Sequence, residues 1–133
     1  MKSRALHVDF LLQARKLAAR ERGSPTQGGL RRATSTAYFA LFHFLVDEAA
    51  RAHMGSHRAR SSARGLLARA FQHTTMVQAS KAFSSSPMHP RLQAALGTPV
   101  PMELLREVAA TFCDLQRARH TADYDPLARF AAD

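Results

Sequence analysis

Apolar residues recur along this chain at spacings of three and four, and few runs alternate, so the pattern predicts helices and little or no strand. From Arg4 to Arg22, Leu6, Phe10, Ala14, Leu17 and Ala18 form one stripe with Arg15, Lys16 and Arg20 opposite, as expected of a helix with one buried face. GSPTQGG, residues 23 to 29, carries the glycines and proline of a connection. A second helix is predicted from Leu30 to Met54. Its apolar positions nearly encircle it between Ala37 and Val46, which requires neighbours on more than one side. Gly55 and Ser56 interrupt the pattern, and a third helix is predicted from about His57 to Phe83 with Ala63, Leu66, Leu67, Ala70, Phe71 and Val77 inward. SSSPMHP, residues 84 to 90, reads as a loop, and Arg91 to Leu96 as one or two helical turns. The last long helix opens near Pro101 and closes before Pro126, which disfavours helical geometry at Asp125. Leu127 and Phe130 offer the tail two anchors, and the pattern does not decide between docking and fraying.

These elements predict an all-α fold: an up-down-up-down four-helix bundle with a short extra helix before the last long one, in a single domain spanning residues 1–133. In such a bundle alternate ends meet. The end of the last helix would then share one pole with the start of the first, the end of the second and the start of the third. That pole would gather His7, His53, His57 and His120 with Arg4, Arg51, Arg58, Arg60, Arg64, Arg117 and Arg119. The surplus apolar face of the second helix, carrying Tyr38, Phe42 and Leu45, is expected to be hidden partly against a symmetry mate in a homodimer.

One residue breaks the pattern. Leu105, Val108, Phe112 and Leu115 define the inner face of the last helix, and the next position on that face is Arg119. A guanidinium there must be paired, desolvated or aimed at a ligand. Asp123 follows one turn after Arg119, and Tyr124 one turn after His120. The simplest reading is an Arg119–Asp123 ion pair that finishes the helix; the alternative is a functional cluster.

Composition favours the second reading without establishing it. Nineteen Lys and Arg against ten Asp and Glu give a net charge of +9. Only Lys2, Lys16 and Lys81 are lysines, and arginine's planar fork suits phosphate oxygens, although a GC-rich genome would produce the same bias. The lone Cys113 cannot form an internal disulfide and sits in an apolar stretch, which suits a reducing cytoplasm. The longest apolar run, residues 37 to 46, is too short to cross a bilayer, and the N-terminus lacks the pattern of a signal peptide, so a cytoplasmic protein away from membranes is expected. His53 and His57 are four apart but Gly55 and Ser56 intervene and no third ligand is evident, so no metal and no cofactor are expected. GGLRRATS could hold an anion only through its free amides and Arg31 or Arg32.

The segment RRATSTAYFALFHFL resembles the second-helix signature of the HEPN superfamily at Ser35, Tyr38, Phe39, Phe42 and His43. Arg119, Ala122, Asp123 and Tyr124 resemble its terminal signature, and FQHTTMVQASKAF, with His73, loosely resembles its third-helix segment. The resemblance spans essentially the whole chain. It implies a four-helix bundle, usually homodimeric, acting with RNA or nucleotide in toxin–antitoxin or defence systems. Many members are metal-independent ribonucleases in which an arginine holds the scissile phosphate and a histidine four to six intervening residues later moves the proton of the ribose 2′-hydroxyl. This chain departs from that pattern, because Tyr124, Asp125 and Pro126 occupy the required positions after Arg119. Arg51 and His57 have the spacing, but they straddle a turn between helices.

The resulting expectation is an RNA- or nucleotide-associated protein with weak metal-independent ribonuclease action through Arg119, His120, Asp123 and Tyr124. Arg51, Arg58, Arg60, Arg64, Arg117 and Arg119 would contact nucleic acid. The alternative is a non-catalytic partner of a separate nucleotidyltransferase antitoxin, in which Tyr124 is the tyrosine modified with AMP.

Overall fold

The first helix boundary already shows local chemistry deciding structure: Thr26 accepts the Gly29 N–H through Oγ1 at 3.0 Å, which starts the second helix three residues before the expected Leu30. The computed structural model describes residues 4–19, 23–85, 88–96 and 102–131, and every regular element among them is helical. These elements are α1 (Leu6–Ala18), α2 (Gln27–Met54), α3 (Ser61–Ala68), α4 (His73–Ser84), α5 (Pro90–Leu96) and α6 (Met102–Tyr124). Gly55 closes α2 at φ +76°, a region that glycine enters without a Cβ clash. Helix α6 ends where Pro126 requires. The expected end of the first helix at Arg22 and the opening of the last near Pro101 lie outside the described residues. No described helix is long and apolar enough to cross a membrane.

The predicted third helix is not continuous. A 3₁₀ turn at Arg58–Arg60 leads into α3, which ends at Ala68, and α4 begins at His73. The end of α3 tightens through i to i+3 bonds, with the N–H groups of Arg69, Ala70 and Phe71 donating to the carbonyls of Leu66, Leu67 and Ala68. Gln72 is then extended, at φ −115° and ψ 140°. What the break gains is aromatic contact: Phe71 packs on the core, and the His73 ring stacks on Phe42 with 4.1 Å between centroids.

This break adds a reversal of the chain. Helix α1 runs antiparallel to α2, with His7 against Phe44 and Phe10 against Phe39. Helix α3 runs back along α2, since Arg64 donates to the Gly55 carbonyl just past the end of α2 while Ala68 packs against the core of Tyr38, Phe42, Val46 and Phe112. Helix α4 runs antiparallel to α6, since Cys113 Sγ lies 3.9 Å from the Val77 carbonyl while His73 sits near Arg119. The end of α6 therefore meets the start of α2, where Arg31 reaches the Ala122 carbonyl at 2.9 Å. The single pole expected from four continuous helices is split in two. Arg119, His120 and Arg117 are at one end, while His7, His53, His57, Arg51, Arg58, Arg60 and Arg64 belong to the other.

Tyr38, Phe42, Val46 and Phe112 form the core, with Phe39, Leu41, Leu45, Ala68, Phe71, Met76, Val77 and Leu115 packed against it. Burial of each large side chain contributes about 1.5–3 kcal/mol. Of Tyr38, Phe42 and Leu45, expected to lean on a symmetry mate, Tyr38 and Phe42 are buried within the chain, where α1, α3 and α6 surround α2, while Leu45 is only partly buried. The first two therefore need no second copy to cover them. Cys113 is buried, and burial pushes its thiol pKa up. The tail docks by only one of its two anchors: Phe130 exchanges two hydrogen bonds with the Gln27 side chain, whereas Leu127 is 87% exposed.

Candidate functional site

The apolar stripe of α6 delivers Arg119 onto the aromatic side chains of α2. Its guanidinium carbon lies 5.1 Å from the Tyr38 ring centre and 5.9 Å from that of Phe39, and its side chain is only 18% exposed. Partly desolvated contacts of this kind contribute about 1–2 kcal/mol. Arg119 Nη1 reaches Asp123 Oδ2 at 3.4 Å, and Nε is buried without a hydrogen-bond partner. The expected ion pair thus exists but is long. Asp123 is held from the other side, because Ser35 Oγ donates to its Oδ1 at 2.5 Å, tying α2 to α6.

Below Arg119, the Tyr38 hydroxyl bonds to His73 Nδ1. Burial raises the Tyr38 pKa, with Arg119 partly opposing it. Burial lowers the His73 pKa, helped by the positive charge of Arg119 and by His43. Both shifts favour the neutral pair. Tyr38 is fully buried and has no other hydrogen bond, so donation from its hydroxyl to Nδ1 is the arrangement that leaves no buried proton without an acceptor. The neutral imidazole then carries its proton on Nε2, where it can donate but not accept.

The other predicted residues do not converge on this point. His120 is exposed and packs on Tyr124, with 4.9 Å between rings, as the roughly 100° turn between neighbouring helical residues dictates. Tyr124 is 69% exposed. Arg117 forms a solvated pair with Asp114 at 3.2 Å. Arg51 is about 24 Å from Ser35 along α2 by helical rise, and Arg58, Arg60 and Arg64 follow beyond it. Arg31, considered as an anion ligand at the start of α2, is fully engaged: its Nη1 donates to the carbonyls of Ala122 and Asp125, and Nη2 to that of Ala128, at 2.6–2.9 Å. His43, part of the second-helix signature, stacks on Phe10 at 5.3 Å with no hydrogen bond among the described residues.

Helical spacing located Arg119 and Asp123 but missed His73 as their neighbour, since His73 reaches them only through the break between α3 and α4. The chemistry available here is recognition of an anion by a cation whose one carboxylate contact is long, backed by aromatic faces. Among the described residues the acceptor bonded to Arg119 is Asp123, which Ser35 also engages. Comparison of the chain with protein-family models, with curated proteins and with solved structures finds no match.

Proposed function

We propose that the chain is a HEPN-type RNA- or nucleotide-associated protein of a toxin–antitoxin or defence module, built on a four-helix arrangement of α1, α2, α4 and α6. It acts chiefly by holding phosphate. The observation that supports this reading is Arg119 itself, a half-sunken guanidinium whose Nε is unbonded and whose one carboxylate contact is 3.4 Å long. Phosphate oxygens would complete the hydrogen bonding that Asp123 leaves open. Ribonuclease action is the weaker part of the proposal, because Tyr38 occupies the His73 nitrogen that could take a proton and His120 turns away.

Fluorescence anisotropy with a short oligoribonucleotide tests it. Affinity should fall steeply with salt, Arg119→Ala should weaken binding about tenfold, and Arg91→Ala less than about twofold. Equal losses from the two substitutions would mean a diffuse basic coat and no site. Cleavage of the same RNA in EDTA should be slow or absent.

The exposure of Tyr124 favours a second reading, that of a partner to a nucleotidyltransferase. Its phenol lies in an open hollow with Gln27, Arg31 and Arg129. Addition of AMP there would place negative charge one turn from Arg119 and oppose phosphate binding. Intact-mass spectra after co-expression with a transferase encoded beside this gene should gain one AMP, lost in Tyr124→Phe. An unchanged mass removes this reading. Homodimer formation, part of the same family expectation, is read by sedimentation.

A further inference from the structure

The far end of α2 holds a cavity of about 350 Å³ where α1, α2 and α3 meet. Its polar lining is His7 from α1, His43, Asp47 and Arg51 from α2, and Ser61 and Arg64 from α3, set against an apolar wall that includes Leu6 and Val46. We infer that this cavity is a binding site for a phosphomonoester of mononucleotide size, at a place separate from Arg119.

Both arginines are anchored at one nitrogen and open at the others. Arg51 donates from Nε to Asp47 Oδ2 at 2.9 Å, and no bond from either of its terminal nitrogens is seen among the described residues. Arg64 donates from Nη1 to the carbonyls of Gly55 and His57, at 2.9 and 2.8 Å, so the turn that ends α2 fixes its direction while Nη2 and Nε stay unengaged. Held in this way, an arginine loses little side-chain freedom on meeting an anion. Asp47 neutralises one of the two charges, and Arg64 leaves the cavity with a net positive charge.

The imidazoles supply the rest. His7 and His43 line the same cavity, each set against an aromatic ring: His7 edge-on to Phe44 and His43 stacked on Phe10. Burial lowers the His43 pKa, and His7 lowers it further, so the neutral form of His43 is favoured in the empty cavity. A bound dianion opposes that preference at His43, since its negative charge favours the protonated ring. The size fits as well, since ligand cavities of about 300–1,000 Å³ hold molecules of this class. The apolar wall suits the organic part of a phosphomonoester better than bare inorganic phosphate.

Titration calorimetry and imidazole NMR on the full chain test this with AMP, ribose 5-phosphate, adenosine and inorganic phosphate. AMP should bind, adenosine at least about tenfold more weakly, and AMP should shift the His7 and His43 ring resonances. Arg51→Gln should weaken the AMP binding that the His7 and His43 resonances report about tenfold, Arg64→Gln at least as much, and these imidazole shifts should persist in Arg119→Ala. If Arg64→Gln loosens the α2–α3 turn, Arg51→Gln and the imidazole shifts decide alone. Equal affinity for AMP and adenosine, loss of the His7 and His43 shifts in Arg119→Ala, or no response to any phosphate at millimolar concentration would each overturn the inference. Because its probes respond to Arg51 and not to Arg119, it stands or falls apart from the RNA-binding reading.

Discussion

The two ends of α2 carry similar residues and use them in opposite ways. At its start, polar side chains are committed to the chain itself: Arg31 engages three carbonyls, Gln27 exchanges two bonds with Phe130, and Ser35 holds Asp123. At its other end, Arg51 and Arg64 are each fixed by one nitrogen around an open cavity. An arginine is therefore identified as structural or available by the acceptors it has met and not by its burial. Arg119 lies beside the committed end yet behaves like the open one, with a buried Nε that nothing satisfies.

The sharpest test of this contrast is Arg31→Ala. Losing a cation from three carbonyls should cost about 2–3 kcal/mol, enough to lower Tm by several degrees in a domain of this size, and would also free the tail. Thermal denaturation checks it. A loss below about 0.5 kcal/mol would show that the clamp is ornamental and that the two ends do not differ.

Next in size is Tyr38→Phe, expected to destabilise by about 1–1.5 kcal/mol because His73 loses its buried partner. The same pair predicts a pH dependence. The folded pKa of His73 lies below its ordinary value near 6.5, so the unfolded chain binds the extra proton first. Stability contributed by the neutral ring is complete above about pH 6.5 and is lost as pH falls toward the folded pKa. Denaturant titrations at stepped pH should show this decline, flattened in His73→Gln; an identical profile in that variant would assign the decline elsewhere. The smallest effect belongs to the open end. Arg51→Gln should change stability by no more than about 0.5 kcal/mol, because its pair with Asp47 is solvated.

Much of this fold was legible from hydrophobic spacing. The stripes of α1, α2 and α6 found their helices, and Pro126 marked the final boundary within a residue. The break between α3 and α4 was not legible, because Arg69-Ala70-Phe71-Gln72 contains neither glycine nor proline and its apolar residues continue the helical period. Leu66 displays the error: assigned inward by spacing, it is 66% exposed. Tertiary attraction of Phe71 and His73 to the α2 aromatics outweighs local propensity there. Since one added reversal exchanges the ends of every later helix, the site moved with it. Arg119 and Asp123 were found from within one helix, whereas His73 and the His7–His43 cavity depend on how helices meet.

The Arg31 clamp also bears on how the chain acquires its structure. The carbonyls it takes lie 91 to 97 positions later in sequence, and closing a loop of that length costs about 4 kcal/mol of chain entropy. The α1–α2 hairpin, by contrast, is joined by a short connection and can pair early. During synthesis the start of α2 therefore waits, with Arg31 and Ser35 without their partners, until residues 122–130 have left the ribosome. The order of assembly runs from the cavity end of α2 toward the clamp, and the last contacts made are those that hold Arg119 in place.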